Sequence, residues 1–320
     1  MKKIFNVVTI LLLTMFTGMA LAQNFKPTKP IEVMTPWPVG GTNDVVARLT
    51  SEIFEKHGWP SIVSNVAGAG GVIGMNQFAK ATPDGHQLMV VATASFNTGL
   101  VNDSTATYTA KSVTPVFPVV PSIQVLYASA DAPFNNYAEL VAWAKANPGK
   151  FDIAIYSAIM VPIYDKWAEL EKLPKPNFIV YKGSGPALTD VLGGHVKLAL
   201  DSIAVPEPHV KSGKLKVIGA FDPAGVDMAN RFNPPATKAV WLNKNHPNFV
   251  LSSIFGVWAP AGTPEYILKD MHQVLSKGFS NPEVQKRLGP VSSAPFGGTR
   301  EMLSENQQKV FNTMQSIVKK

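Results

Sequence analysis

The sequence predicts an α/β protein of two lobes, each a mixed, mainly parallel sheet covered by helices, with two crossover strands as a hinge. Strand and helix patterns alternate along most of the chain, which is typical of parallel sheets with covering helices. Two apolar stretches, Val116–Ala128 and Phe249–Trp258, have the length and composition of crossovers between lobes. Two crossings place the second lobe, residues 124–249, inside the first, which comprises residues 23–123 and 250–320.

The first 22 residues have the features of a secretory signal peptide. Lys2 and Lys3 precede an apolar run from Ile4 to Leu13, and Ala20-Leu21-Ala22 supplies an A-x-A cleavage site. The alternative is a membrane anchor, but the apolar run is short for a membrane-spanning helix. We expect cleavage after Ala22 and a mature protein in the periplasm.

The composition excludes several classes of protein. The chain has no cysteine, so it carries no lipid anchor at the cleavage point and no disulfide. The formal net charge is +7, and two of those charges belong to the predicted signal peptide. The other basic residues are scattered rather than gathered on one face, which argues against binding to nucleic acid. Roughly 300 mature residues are enough for two domains.

The first strand and helix, Ile31–Leu49, enclose a loop that is rich in proline and glycine. The strand begins at Ile31, and Gly40–Gly41 permit backbone angles that other residues avoid. Asn43–Asp44 are good N-cap residues, so we expect the helix to begin there. A helix N-terminus reached through such a loop presents unpaired N–H groups and the positive end of its dipole, which suits a carboxylate or a phosphate. The alternative is an ordinary strand-to-helix turn.

The segment Phe178–Leu192 repeats this arrangement in the second half of the chain. It contains a predicted strand at Phe178–Tyr181, a loop at Lys182–Pro186 and a helix from about Ala187. We expect the two loops to face each other across a cleft between the lobes.

The intervening elements follow the same alternation. A second strand at Ile62–Val63 leads into the glycine-rich bend Asn65–Gly74, which lacks dinucleotide spacing because the third glycine position is Ile73. The strand Gln87–Ala92 ends in a predicted loop, Thr93–Asn97. Ligands of parallel sheets bind beyond the carboxyl ends of the strands, which is where this loop and the two loops above lie.

The second lobe and the C-terminal region complete the pattern. The predicted elements are the helix Tyr137–Ala146, the strands Phe151–Tyr156, Val196–Leu200 and Leu215–Ala220, an irregular segment over 222–248, and helices after Pro264.

With these motifs in place, the chain resembles the substrate-binding proteins of tripartite tricarboxylate transporters, also called the Bug family, from about Lys29 to Phe311. The matching motifs, in order, are PWPVGGTNDVVARL, NVAGAGGVIG with ATPDGHQL, AKANPGKF, YKGSGPALTDVLGGHV, HVKSGKLKVIGA, and FGVWAPAGTP with NPEVQKRL. The resemblance implies a type II-like periplasmic-binding-protein fold, a Venus flytrap, that closes on a small carboxylated solute. It also implies that backbone N–H groups and ordered water hold one carboxylate between the loops Pro36–Asp44 and Lys182–Ala187.

We predict a ligand site built from these loops and the neighbouring strand ends. Its residues are Trp37, Val39, Gly40, Gly41, Thr42, Asn43, Asp44, Ser95, Phe96, Ala158, Met160, Lys182, Gly183, Ser184, Pro186, Ala187 and Asp201.

Two segments depart from the family pattern. Val39 replaces a usual proline, and the loop after Tyr156 lacks the usual glycine and histidine. The residues Ile159–Val161 in that loop either turn inward as core or form an apolar wall in the cleft, where Met160 adapts to ligand shape. A wall would indicate a solute less polar than citrate, an aromatic or branched monocarboxylate, with Trp37 and Phe96 as stacking surfaces.

The charged members of the predicted site each have two interpretations. Asp44 either caps a helix or meets the amino group of an amino-acid ligand. Asp201, at the end of a strand, lines the cleft or orients water. Lys182 either pairs with a carboxylate or points to solvent.

The leading functional prediction is therefore a periplasmic receptor that delivers a small organic carboxylate to transporter subunits in the membrane. An alternative is a ligand sensor that signals to a membrane sensor kinase. A secreted hydrolase using Ser184 or Ser95 is a remote alternative, because neither serine has a neighbouring base in the sequence and no G-x-S-x-G motif occurs. The six histidines are dispersed without metal-ligand spacing, so we expect no metal and no cofactor. A monomer is expected.

Overall fold

The computed structural model describes residues 24–246, 249, 251, 253–288 and 297–318, so the predicted signal peptide and its cleavage site lie outside the described residues. Up to the first change of sheet the elements are β1 (Ile31–Thr35), α1 (Thr42–Lys56), β2 (Ser61–Asn65), α2 (Val72–Phe78), β3 (Gln87–Ala92), α3 (Thr93–Asn102) and β4 (Val113–Ser122). The next are β5 (Gln124–Ser129), α4 (Tyr137–Ala146), β6 (Asp152–Ile155), α5 (Val161–Leu170), β7 (Asn177–Val180), α6 (Ser184–Leu192), β8 (Leu198–Ser202), α7 (Glu207–Lys211), β9 (Leu215–Ala220), α8 (Pro223–Phe232) and β10 (Val240–Trp241). The last are β11 (Ser253–Pro260), α9 (Glu265–Phe279), α10 (Pro282–Arg287) and α11 (Arg300–Val318).

Two mixed sheets form the centres of the two lobes. The sheet of lobe 1 has the order β2-β1-β3-β11-β4, with β1 parallel to β2 and β3, and β11 antiparallel to β3 and β4. The sheet of lobe 2 has the order β10-β9-β5-β8-β6-β7, with β6 parallel to β7 and β8, and β5 antiparallel to β8 and β9. The predicted α/β class with two lobes is confirmed.

The chain passes between the sheets at two adjacent segments. It leaves the first sheet after Ser122 and enters the second at Gln124, so the predicted crossover Val116–Ala128 comprises β4 and β5. It returns to the first sheet at Ser253, which lies opposite Ser122 in the register of β11 and β4. The two crossing segments therefore run side by side.

Each lobe has a hydrophobic core between its sheet and its helices. In lobe 1, Phe54 of α1 and Met271 of α9 pack on the sheet through the apolar faces of their helices. The C-terminal helix α11 belongs to both lobes, because Val310 and Met314 pack in the same cluster as Trp167 of α5. None of the described helices is long and apolar enough to cross a membrane.

Several element boundaries differ from the sequence predictions. The helix α1 begins at Thr42 with Gly41 as its N-cap, rather than at Asn43–Asp44, and α6 begins at Ser184 rather than Ala187, because Gly183 adopts a φ of 111° that ends the loop earlier. Residues 93–97, predicted as a loop, form the first half of α3. The segment 222–248, predicted as irregular, contains α8 and β10, and residues 247 and 248 lie outside the described part.

The helix α3 owes its stability to contacts with distant sequence. The Thr93 hydroxyl donates to Asn306 Oδ1 at 2.6 Å, and Asn97 Nδ2 donates to the Gln307 carbonyl at 2.7 Å. Both acceptors are on α11, more than two hundred residues later. Such a tertiary contact is invisible to local periodicity.

Candidate functional site

The first loop, between β1 and α1, is fixed by the carboxylate of Asp44. Its Oδ2 accepts the Gly40 N–H at 3.1 Å and Arg48 Nε at 3.0 Å, and its Oδ1 accepts Asn65 Nδ2 at 3.0 Å. The same Asn65 amide donates to the Trp37 carbonyl at 2.9 Å. Burial alone would raise the pKa of Asp44, but these hydrogen bonds outweigh it and lower the pKa below its ordinary value. Asp44 thus holds the loop in shape.

This network argues against both interpretations of Asp44, as a helix N-cap and as a partner for a ligand's amino group. The residue is the third of α1 and not its N-cap, and its side chain reaches back to a backbone N–H of the preceding loop. Both of its oxygens already have donors, and its residue is almost fully buried. Asp44 is absent from the cavity lining described below, so it is not placed to meet an amino group of a ligand there.

The second loop, between β7 and α6, faces the first one directly. The Gly183 N–H donates to the Tyr156 carbonyl at 3.0 Å, which ties the loop to the end of β6. A side-chain Cβ added at Gly183 would lie 3.4 Å from Pro38 Cγ. The two loops are therefore in van der Waals proximity across the lobes, and the positive φ of Gly183 makes any other residue strained there.

A cavity of about 520 Å³, counted out to its mouth, lies between these loops. The predicted site residues that line it are Trp37, Val39, Gly41, Thr42, Asn43, Ser95, Lys182, Gly183, Ser184, Pro186 and Asp201. Pro38 and Gly185, which belong to the two predicted loops, also line it. The lining further includes residues that sequence reasoning missed, namely Ala92, Ser122, Gln124, Tyr156, Ser202 and Phe255. Residues of both lobes thus share one enclosure.

The N-termini of α1 and α6 both open into this cavity. Gly41 and Thr42 at the start of α1, and Ser184 and Gly185 at the start of α6, are part of the lining. Neither helix has a side-chain hydrogen bond from its N-cap residue. The first N–H groups of each helix and its positive dipole end are therefore directed at one site, which favours an anion.

Other predicted residues lie outside this lining. Phe96 is fully buried and stacks on Trp258 in the core of lobe 1, with ring centroids 6.2 Å apart. This placement corrects the expectation that Phe96 offers a stacking surface in the cleft. Ala187 is on the buried face of α6 in the core of lobe 2, Ala158 is exposed outside the cavity, and Gly40 borders a neighbouring surface depression.

The segment Ile159–Val161 also packs away from the cavity. Met160 is fully buried, and its sulfur lies 3.7 Å from the Thr98 hydroxyl, which is also 3.1 Å from the sulfur of Met314. Ile159 belongs to the same core cluster, and Val161 packs against it from a partly buried position. Of the two alternatives, the structure therefore favours core over an apolar wall, and Met160 is not placed to adapt to a ligand.

Of the two aromatic residues predicted to stack on the ligand, Trp37 is the one that lines the cavity. It is 7% exposed and meets the ring of Tyr156 edge-on, with centroids 5.6 Å apart and an interplanar angle of 72°. Its indole Nε1 is buried and has no hydrogen-bond partner among the described residues. Lys182 lines the mouth and is exposed to solvent.

The floor of the cavity is polar and carries a buried carboxyl group. Asp201, at the end of β8, accepts the Ser202 N–H on Oδ1 at 2.7 Å. Burial raises the pKa of Asp201 to about 7, against smaller lowering effects of the Ser184 hydroxyl and the Ser202 N–H. Beside it the Tyr164 hydroxyl donates to Gln124 Oε1 at 2.9 Å.

The two serines of the predicted site have no histidine beside them in the cavity lining. Ser95 and Ser184 both line the cavity, but none of the six histidines, all of which are described, does so. Across residues 24–246, 249, 251, 253–288 and 297–318, no group of three or more histidine, aspartate or glutamate side chains is arranged to hold a metal ion.

The fold and the paired loops are those of a two-lobed solute-binding protein with a cavity between its lobes. The chain belongs to the tripartite tricarboxylate transporter family receptors, whose family model matches residues 45–320. The predicted family membership is confirmed.

Individual relatives are similar over most of the chain. The protein BugT of Bordetella pertussis is 28% identical over 303 residues, which cover 93% of this chain and 91% of the relative. A protein from the tcbD-tcbE intergenic region of Pseudomonas sp. strain P51 is 27% identical over 305 residues, which cover 92% of this chain and 87% of the relative.

Solved structures share the fold. The periplasmic binding protein BugD superposes with a TM-score of 0.79 at 26% identity, covering 92% of this chain and 98% of that one. MatC of Rhodopseudomonas palustris, solved with bound malate, superposes with a TM-score of 0.78 at 24% identity, covering 92% of this chain and 100% of MatC. Rpa4515 of R. palustris, solved with adipate, superposes with a TM-score of 0.80 at 21% identity, covering 92% of this chain and 98% of Rpa4515.

Proposed function

We propose that this protein is a periplasmic receptor that captures a small organic carboxylate and delivers it to the membrane subunits of a tripartite transporter. The observation that carries this proposal is the convergence of two helix N-termini, one from each lobe, on a single cavity. The proposal needs no arginine in the site, because backbone N–H groups and helix dipoles suffice to hold a carboxylate.

The strength of such a site follows from its donors. A hydrogen bond from a backbone N–H to a charged group contributes about 1.5–3 kcal/mol net. Micromolar binding requires about 8 kcal/mol, so a few such bonds, with the indole of Trp37 and burial of the carbon skeleton, are sufficient. Because the donors come from both lobes, the ligand binds most strongly when the lobes are closed.

The proposed mode of action is therefore capture by lobe closure, without covalent chemistry. The two adjacent crossings, one between Ser122 and Gln124 and one that ends at Ser253, serve as the hinge. The lobes comprise residues 23–123 with 250–320, and residues 124–249. The signal peptide directs the chain to the periplasm and is cleaved after Ala22. The mature receptor acts as a monomer.

The ligand is a small mono- or dicarboxylate. Malate and adipate occupy the similarly folded MatC and Rpa4515. The argument for an aromatic acid rested on an apolar wall at Ile159–Val161 and on Trp37 and Phe96 as stacking surfaces. The wall and Phe96 pack in the core, whereas Trp37 lines the cavity. Trp37 and Phe255 still provide apolar lining for a short carbon chain.

A thermal-shift screen of residues 23–320 tests the proposal. The panel contains malate, adipate, benzoate, citrate and amino acids at high concentration. A ligand at about a hundredfold above its Kd adds about 2.7 kcal/mol of stability, which raises Tm by several degrees in a protein of this size. At least one small carboxylate should give this shift, and failure of every carboxylate to do so would contradict the proposal.

A further inference from the structure

The floor of the cavity contains a buried carboxyl group with no cation beside it. Asp201 is 4% exposed and lines the cavity, and its Oδ1 is engaged by the Ser202 N–H at 2.7 Å. Among the described residues, its Oδ2 has no hydrogen bond within ordinary distance and angle limits, although the nearby Ser184 hydroxyl is a donor that lowers the pKa of the carboxyl group. A buried carboxylate oxygen left in this state is costly, so the arrangement calls for a further partner from within the cavity.

The groups around Asp201 offer no positive charge. Tyr127 of β5, Tyr156 after β6 and Tyr164 of α5 face it, and the pKa of each phenol is raised by burial and further by the charge of Asp201. The hydroxyl of Ser184, at the start of α6, approaches from the second loop. Asp201 takes part in none of the ion pairs among the described residues, and Lys182 is exposed at the mouth.

The cavity thus contains two features with opposite preferences for the charge of a ligand. The two helix N-termini favour an anion, whereas an ionised Asp201 would place a second negative charge in the same buried space without a cation to balance it. Two carboxylates that share one site cannot both remain ionised at low cost, and a shared proton resolves the conflict. Burial has already raised the pKa of Asp201 to about 7, so the proton is available near neutrality.

Resting on the proposed carboxylate-binding function, we propose that Asp201 binds the solute as a neutral carboxylic acid. Its Oδ2–H donates a hydrogen bond to a carboxylate oxygen of the solute, and an Asp201 that was ionised takes up one proton from solvent when the complex forms. The protein therefore captures carboxylates in a proton-coupled manner and releases them more readily as the pH rises.

A different ligand chemistry would reverse this dependence. An ionised Asp201 could instead accept a hydrogen bond from the ammonium group of an amino-acid solute. The neutral acid is favoured because Asp201 offers one free oxygen rather than a set of acceptors, and because the positive ends of α1 and α6 open into the same cavity.

The test is calorimetric titration of the mature protein with malate, adipate and benzoate as probes. Titrations are run at about pH 6 and about pH 8, each in two buffers that differ in ionisation enthalpy, which reports the protons taken up per ligand. If only the protonated form binds and the pKa is about 7, affinity falls roughly tenfold between the two pH values. Proton uptake at about pH 8 should approach one per ligand.

Two variants separate this mechanism from a general charge effect. Asp201→Asn keeps a neutral donor at the same place, so its affinity should be the same at both pH values, close to that of wild type at about pH 6 and roughly tenfold tighter than that of wild type at about pH 8, with no proton taken up. Asp227→Asn removes an exposed carboxylate from α8 and should keep the wild-type pH dependence. No histidine lines the cavity, so the loss of pH dependence in Asp201→Asn assigns the effect to this residue.

The outcomes are distinguishable. Binding by wild type with equal affinity at both pH values and no proton uptake overturns the inference and leaves the proposed function standing. Affinity that rises with pH, with a large loss in Asp201→Asn, also overturns it in favour of an ammonium-bearing solute. Absence of binding by every probe at both pH values overturns the proposed function, and the inference falls with it. The proton count on wild type decides the matter even if a variant fails to fold.

Discussion

The substitution Gly41→Asp tests whether the first loop is an anion site or only an ordinary strand-to-helix turn. Gly41 is the N-cap of α1 with φ −87° and ψ 171°, angles that any residue adopts, and an added Cβ meets no atom within 4 Å. Aspartate is a better N-cap than glycine by a few tenths of a kcal/mol, so the unliganded protein should be as stable as wild type or slightly more stable.

The effect on binding should be large and opposite. The new carboxylate accepts the free N–H groups of α1 and places a negative charge where the ligand's carboxylate binds. Loss of two charge-assisted hydrogen bonds at about 1.5–3 kcal/mol each weakens binding by more than about a hundredfold. Calorimetric titration with the best carboxylate from the thermal-shift screen measures this loss directly.

A matched control is available in the turn after α4. Gly149 is exposed, and an added Cβ there also meets no atom within 4 Å, so Gly149→Asp adds the same charge far from the cavity. This variant should bind as wild type does. Wild-type affinity in Gly41→Asp would refute the reasoning, because the first loop would then be only a turn.

Four further predictions concern the surroundings of the site. Asp44→Asn removes the charge that holds the first loop, so the free energy of unfolding measured in urea should fall by about 1–3 kcal/mol at pH 7. Because the pKa of Asp44 is lowered in the folded protein, this difference should vanish as the pH falls through that pKa. Unliganded Asp201→Asn should be more stable than wild type at pH 8, by about 4 kcal/mol at most, because a raised folded pKa gives stability that is lost as the pH rises through about 7. Phe96→Ala should lower the free energy of unfolding by about 3–5 kcal/mol in the same assay, because the ring lies in the core. The set of acids that shift Tm should stay the same, and a changed ligand preference would contradict this. Met160→Leu should cost less than about 1.5 kcal/mol and leave affinity unchanged by calorimetry.

The parts of the site that could be predicted from sequence are those set by local chemistry. Proline, glycine and a following amphipathic pattern specify a strand, a tight loop and a helix within about fifteen residues, and both loops are found in this way. That they face each other depended on the order of elements, which the alternating pattern also indicates. The precise helix starts, at Thr42 and Ser184, depended on single backbone angles and were misplaced.

The parts that could not be predicted depend on packing between distant segments. Phe96 and Met160 face the core because α3 and the segment before α5 pack against α11, which is far away in sequence. Gln124 and Tyr156 were missed because nothing in their own neighbourhoods marks them. Tyr156 follows the end of β6, so the rule that ligands bind beyond the carboxyl ends of strands was the one signal that would have found it.

The raised pKa of Asp201 could not be predicted from the sequence either. Its position at the end of a strand was predicted, and the structure places it in the cavity lining. Its raised pKa arises from burial among side chains of β5, α5 and α6, which meet only in the folded protein. Sequence reasoning can therefore nominate such a carboxyl group but not assign its protonation state.

The central claim is that loops from both lobes hold one carboxylate at the same time. The most direct measurement is a titration of the ¹⁵N-labelled mature protein with the best carboxylate from the screen, followed through the backbone amide shifts of Thr42 and Asn43 in the first loop and of Ser184 and Gly185 in the second. Large shifts in both loops that follow one common dissociation constant are the predicted result. Shifts confined to one loop, or shifts elsewhere with both loops unchanged, would contradict the account.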